Sequence, residues 1–109
     1  MWTRYAKNAG AVFSLKYHLV WCPKYRRPVL TDDVIARLVQ IINDVATEID
    51  AMIHAHEIMA DHVHLFVESD PHWSVAEIVS RIKGVSSRKL RNEFPHLKSR
   101  LPTLWSRSY

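Results

Sequence analysis

The sequence predicts an α+β domain of β-α-β-β-α-β order, the split-βαβ or ferredoxin-like plan, with both helices on one face of a four-stranded antiparallel sheet. Three observations lead there. Val12 to Trp21 is rich in aromatic and β-branched residues, two later stretches repeat their apolar residues at helical spacing, and between them two strand-like runs meet at Ala60-Asp61. At 109 residues the chain suits one domain, residues 1–109, with a single core.

Each element has its own signal. The first strand ends before Pro23, and Arg26-Arg27-Pro28 makes a basic connection. Thr31-Asp32-Asp33 then offers an N-cap with acids in the first helical turn. Val34, Ile35, Leu38, Ile41, Ile42, Val45 and Ile49 follow at helical spacing, enough for about five turns. Met52 to Met59 and His62 to Glu68 read as the second and third strands. Ser74-Val75-Ala76-Glu77 has the capping-box pattern and opens a second helix that Pro95 ends. Leu104 to Tyr109 resembles a fourth strand. In this plan strands one and three are central.

The third strand carries the most informative residues. Side chains alternate across a strand, so His62, His64 and Phe66 share one face, while Val63, Leu65 and Val67 enter the core. Two neutral imidazoles side by side on a stiff strand make half of a divalent-metal site. Glu57 and Asp61 lie near enough in the chain to orient or complete a ligand set. A second His-x-His, His54-Ala55-His56, is read more simply as polar strand residues. It also leaves open a four-histidine zinc site formed with His62 and His64.

Charge suggests the partner. Residues 1–31 hold six Lys/Arg and no acid, residues 32–77 ten acids and one base, and residues 78–109 eight bases and one acid. The formal net charge of +4 therefore conceals two basic blocks, interleaved with Trp21, Tyr25, Trp105 and Tyr109. Either block alone reads as a solvated face, and together they favour a polyanion. On the second helix, Ile78, Ile82 and Val85 form the expected buried stripe, with Arg81, Gly84, Arg88 and Arg91 opposite. A glycine among arginines costs helix stability, about 1 kcal/mol relative to Ala, and would let a phosphate backbone approach. No apolar run nears the ~20 residues of a membrane span, and Met1 to Gly10 lacks a secretory h-region. With Cys22 the single cysteine, an internal disulfide is excluded, and a cytoplasmic protein with no membrane partner is expected.

These motifs carry a resemblance. Tyr17-His18-Leu19-Val20-Trp21-Cys22-Pro23-Lys24-Tyr25-Arg26 is similar to the first strand and basic loop of the single-tyrosine HUH transposases of bacterial and archaeal insertion sequences. That group, the insertion-sequence-200/605 type or transposase A, includes the REP-associated tyrosine transposases. Met59-Ala60-Asp61-His62-Val63-His64-Leu65 resembles its metal motif, with Ala60 where proline is usual. Lys83-Gly84-Val85-Ser86-Ser87-Arg88 resembles its second-helix motif, and Leu104-Trp105-Ser106-Arg107-Ser108-Tyr109 its final strand.

The resemblance implies a homodimer that binds single-stranded DNA hairpins at element ends, with Mg²⁺ or Mn²⁺ held by His62 and His64. Cleavage and rejoining would run through a phosphotyrosine intermediate. Lys24, Tyr25, Arg26, Arg27, Arg81, Lys83, Arg88 and Arg91 become the candidate DNA contacts, Tyr25 as a stacking platform. The family's nucleophile lies on a helix beyond the final strand. The resemblance therefore implies a C-terminally truncated core in which Tyr109 is not the nucleophile, and which binds without cleaving. The competing reading is a non-catalytic single-strand nucleic-acid-binding module of the same fold.

Overall fold

A computed structural model describes residues 14–107. Strand β1 (Leu15–Trp21) leads through a 3-10 turn (Lys24–Arg26) to helix α1 (Asp32–Glu48). Strands β2 (Met52–Met59) and β3 (His62–Ser69) follow, then helix α2 (Val75–Glu93) and a short helix α3 (Pro95–Arg100). The sheet is antiparallel in the order β1-β3-β2, so β3 is the central strand.

The alternation of β3 divides the sheet into two faces. Val63, Leu65 and Val67 are fully buried against the helices, and on β1 they meet Trp21, Leu19 and Tyr17 in register. From α1, Val34, Leu38, Ile41, Ile42 and Val45 close the same core; from α2, Ile78, Val79, Ile82 and Leu90 do. Burying these side chains, at about 1.5–3 kcal/mol each, is what holds the helices to one face. The other face of the sheet carries the histidines.

The helix signals are met unequally. Ser74 caps α2 as expected, accepting from the Glu77 amide at 3.1 Å while the Glu77 carboxylate accepts from the Ser74 amide at 2.9 Å. Thr31 holds the N-cap position of α1, but its side chain makes no cap hydrogen bond. That helix ends in a Schellman turn. The Ala51 and Asp50 amides donate to the carbonyls of Ala46 and Thr47, with Asp50 at φ 55° where glycine is usual.

The expected fourth strand is corrected. Among the described residues the sheet has three strands, and Leu104 to Arg107 contributes a single bridge, Pro23 opposite Trp105. It is fastened by the Lys24 amide to the Leu104 carbonyl at 2.8 Å and the Ser106 amide to the Cys22 carbonyl at 2.9 Å. The chain turns away into the 3-10 turn at Lys24, so pairing cannot spread in that direction. In the other direction Ser106 and Arg107 come next, opposite Cys22 and Trp21, and form no further bridge; Ser108 and Tyr109 lie outside the described residues. The sequence gives no signal for short helix α3. Pro95 ends α2 as anticipated and also starts α3, where its fixed φ suits the first helical turn.

Candidate metal centre and nucleic-acid interface

His62 and His64 project from the open face of β3 at its start, immediately after the tight turn at Ala60-Asp61. The Nδ1–H of His62 donates to Asp61 Oδ1 at 2.9 Å, and the Nε of Arg26 donates to Asp61 Oδ2 at 3.2 Å. The His62 hydrogen bond, reinforced by the charge of Arg26, holds the Asp61 carboxyl below its usual range. A carboxylate on Nδ1 fixes the His62 tautomer and leaves the Nε2 lone pair outward. Outer-shell carboxylates prepare metal-ligating histidines in this way.

Arg26 reaches Asp61 because the loop after β1 is folded back. Tyr25 and Arg26 both have left-handed backbones, φ 60° and 53°. Non-glycine residues occupy that region at a cost of order 1 kcal/mol or more each. Tyr25 is 67% exposed, and the Lys24 ammonium lies 5.4 Å from the centre of its ring. Arg27 is exposed in extended conformation. The loop therefore brings Lys24, Tyr25, Arg26 and Arg27 to the His62 end of the sheet, as a DNA-contacting loop would require. Val20, Trp21, Cys22, Arg26 and His62 border a small hollow between loop and sheet.

His64 has a partner that sequence reasoning did not assign. Its Nε2 lies 3.3 Å from Nδ1 of His18 on β1, and the His18 ring stacks flat on Phe66, centroids 4.5 Å apart and planes 8° apart. The signal was present in the alternation Tyr17-His18-Leu19-Val20-Trp21. With Tyr17, Leu19 and Trp21 inward, His18 has to face outward beside Phe66, its register partner. Glu57 lies opposite His64 from β2.

The four-histidine zinc reading is corrected. The register of β2 on β3 slips between Ile53 and Ala55, which sets His54 over the open face, where its Nε2–H donates to Glu68. Among the described residues no three His, Cys, Asp or Glu groups converge as a metal cage. His62 and His64 supply two nitrogen donors, which suits a hydrated divalent ion that takes its remaining ligands from water and phosphate.

The helix cations occupy the far side of the domain. Arg88 is exposed beside Gly84, and with Ser87, Arg91, Asn92 and Lys98 these residues border a groove of about 420 Å³ between α2 and α3. A Cβ added at Gly84 would meet nothing within 4 Å, so no packing inside the domain requires glycine there. The other candidates are partly engaged. Arg81 pairs with Glu48 at 3.1 Å, Arg91 donates to the Leu101 carbonyl at 3.3 Å, and Lys83 donates to the Ser106 carbonyl. Burial lowers the pKa of Lys83, opposed by the charge of Cys22. The structure thus splits the predicted DNA contacts into a loop cluster beside the histidines and a helix cluster on the opposite face.

The model of the family described as "Transposase IS200 like" matches residues 11–109. This chain belongs to the IS200-like transposase family. It is 38% identical over 105 residues to the ISDra2 transposase TnpA of Deinococcus radiodurans, covering 94% of this chain and 75% of that protein. To the transposase for insertion sequence element IS200 of Salmonella typhimurium it is 31% identical over 99 residues, and it spans 65% of that relative's length. A crystal structure assigned as a transposase from Deinococcus radiodurans R1 superposes with a TM-score of 0.86 at 39% identity, covering 94% of this chain and 80% of that one. Among the described residues of this family member, no helix is long and apolar enough to cross a membrane.

Proposed function

We propose that the chain is the DNA- and metal-binding core of an insertion-sequence transposase of the single-tyrosine HUH type. It recognises single-stranded DNA hairpins at element ends in the cytoplasm of a bacterium or archaeon and works as a homodimer. The observation that carries this reading is the His62–His64 pair on the open face of the central strand, with Asp61 and Arg26 behind His62. Mg²⁺ or Mn²⁺ bound there would offset charge on the scissile phosphate and orient it.

The chain's own groups do the rest. Asp61 keeps His62 in the ligating tautomer, and the loop cations Lys24, Arg26 and Arg27 draw the single strand across the histidine face. Arg81, Lys83, Arg88 and Arg91 hold the hairpin from the helix side, Arg88 and Arg91 at the groove beside Gly84. In the family reaction a tyrosine oxygen bonds to phosphorus, the bond from phosphorus to the 3′ oxygen breaks, and that oxygen leaves as a 3′-OH. The phosphotyrosine conserves the bond energy for rejoining. Tyr17 pairs with Val67 on the helix side of the sheet, and Tyr25 lies on the loop. Tyr5 and Tyr109 lie outside the described residues. We assign none of these the nucleophile's role, and these 109 residues are expected to bind without cleaving.

Fluorescence anisotropy with a labelled hairpin carrying single-stranded flanks tests the reading. Binding to the hairpin should exceed binding to a matched duplex and weaken steeply with salt. Equal binding to both, or no salt dependence, would overturn it. Light scattering should show a dimer, and a monomer at every concentration would remove that part of the proposal.

A further inference from the structure

The open face holds a hollow that metal and phosphate leave unused. It measures about 380 Å³ and is bounded by His18, Ala55, His56, Glu57, His64 and Phe66. One wall is aromatic, the Phe66 ring, which stacks in parallel on His18 and is approached by the tilted His54 ring at 5.2 Å between centroids. The slip in β2 sets Ala55 opposite Phe66, so a methyl group stands where a longer side chain would fill the space. Glu57 lies on the third side, opposite His64. Among the described residues Glu57 is exposed and has no hydrogen-bond or ion-pair partner.

We propose that this hollow takes one unpaired nucleobase of the DNA strand, neighbouring the phosphate at His62 and His64. The base packs against Phe66 on the side turned away from His18, displacing the tilted His54 ring where they meet, and donates its exocyclic amino group to Glu57. The inference rests on the reading of the histidine pair as the phosphate site, and adds a base-selecting residue to it. An aromatic wall accepts the π-face of any base and is by itself indifferent to sequence. Selectivity comes from the carboxylate. An ionised Glu accepts hydrogen bonds and donates none. Cytosine, adenine and guanine each present an amino group to it, whereas thymine has no amino group and flanks its one ring N–H with two carbonyl oxygens that repel the carboxylate. Glutamate accepting from an amino edge is an established mode of base discrimination. His64 borders both the hollow and the metal site, so the base that enters belongs to a nucleotide beside the scissile phosphate.

The test is a position scan. Hairpins with single-stranded flanks are made in which each flank nucleotide is replaced in turn by thymine or by an abasic site, and binding is measured by anisotropy in Mn²⁺. At one position, replacing the amino-bearing base by thymine should weaken binding about tenfold. Glu57→Gln should bring that preference below about twofold, because an amide can also donate and so accommodates thymine. Phe66→Leu should weaken binding of every base at the same position and leave the abasic strand unaffected.

Calorimetric Mn²⁺ titration of Glu57→Gln without DNA should match wild type. A fall in Mn²⁺ affinity would make Glu57 a metal ligand and overturn the assignment. A scan showing no base preference at any position, or a preference that survives Glu57→Gln, would overturn the base site and leave the phosphate site standing. Absence of all single-strand binding would instead overturn the function on which the inference rests.

Discussion

Replacing Ser86 with alanine tests how the segment after α3 is fastened to the domain. Ser86 is fully buried on α2. Its hydroxyl donates to the Ile82 carbonyl at 2.6 Å and accepts from the Trp105 indole N–H at 2.9 Å. Trp105 is 6% exposed and stands edge-on to Trp21, centroids 5.8 Å apart. In the alanine variant that N–H stays buried without an acceptor, at a cost of about 1–3 kcal/mol. Alanine is the better helix former by roughly 0.5 kcal/mol, which offsets part of the loss. The net destabilisation is about 0.5–2.5 kcal/mol, and for a domain of this size Tm should fall by roughly 2–20 °C. Thermal unfolding followed by circular dichroism measures it, and Trp105→Phe supplies the control. Phenylalanine has no N–H, so Ser86→Ala in that background should cost less than about 0.5 kcal/mol, a coupling typical of residues in direct contact. Equal costs in the two backgrounds would refute the hydrogen bond as the fastening.

Asp61→Ala should lower Mn²⁺ affinity about 10–100-fold, the usual effect of removing the carboxylate behind a ligating histidine; calorimetry showing wild-type affinity would separate His62 from the site. Arg81→Ala combined with Arg88→Ala should flatten the salt dependence of hairpin binding, by up to about 0.7–0.9 in the log–log slope for each phosphate no longer neutralised. Arg81 alone should contribute the smaller share, because Glu48 already engages it, and an unchanged slope would leave this helix face merely solvated. Glu68 gives a pH signature. Burial opposes its charge, yet hydrogen bonds from Ser14 and His54 and the charges of His54 and Lys16 prevail, so its pKa is lowered on folding. A depressed pKa stabilises above the unfolded value, and that stability is lost as pH falls through the folded value. Wild type should therefore lose stability from about pH 5 downward, and Glu68→Gln should be less stable at pH 7 with a shallower acid slope in urea titrations; parallel slopes would contradict the assignment.

Much of this was legible in the chain because local and tertiary signals agreed. The alternation Val63-His64-Leu65-Phe66-Val67 fixed which face holds the histidines, and packing against α1 and α2 enforces it. The Ser74–Glu77 capping box marked the start of α2, because both of its hydrogen bonds are local. Long-range features were not legible. The His18–His64 contact depends on the register of β1 against β3, with the two histidines 46 positions apart in the chain, and alternation supplies the face but not the register. The reach of Arg26 to Asp61 needs two left-handed residues, Tyr25 and Arg26, whose side chains give no hint of it. The slip that turns His54 onto the open face leaves no composition signal either. Fourth-strand pairing was overestimated from the aromatic run at Leu104 to Tyr109: the chain turns away at Lys24, and among the described residues a single bridge forms.

The most direct measurement is calorimetric Mn²⁺ titration of wild type and of the His62→Ala, His64→Ala double variant, each alone and with an equimolar single-stranded hairpin. Wild type should bind one ion weakly alone and more tightly with the hairpin, because phosphate oxygens complete a shell that two imidazoles leave open. The double variant should show neither event, while keeping salt-sensitive hairpin binding through its cations. Wild-type Mn²⁺ binding in the double variant, or an affinity indifferent to the hairpin, would contradict a phosphate-bearing metal site at His62 and His64.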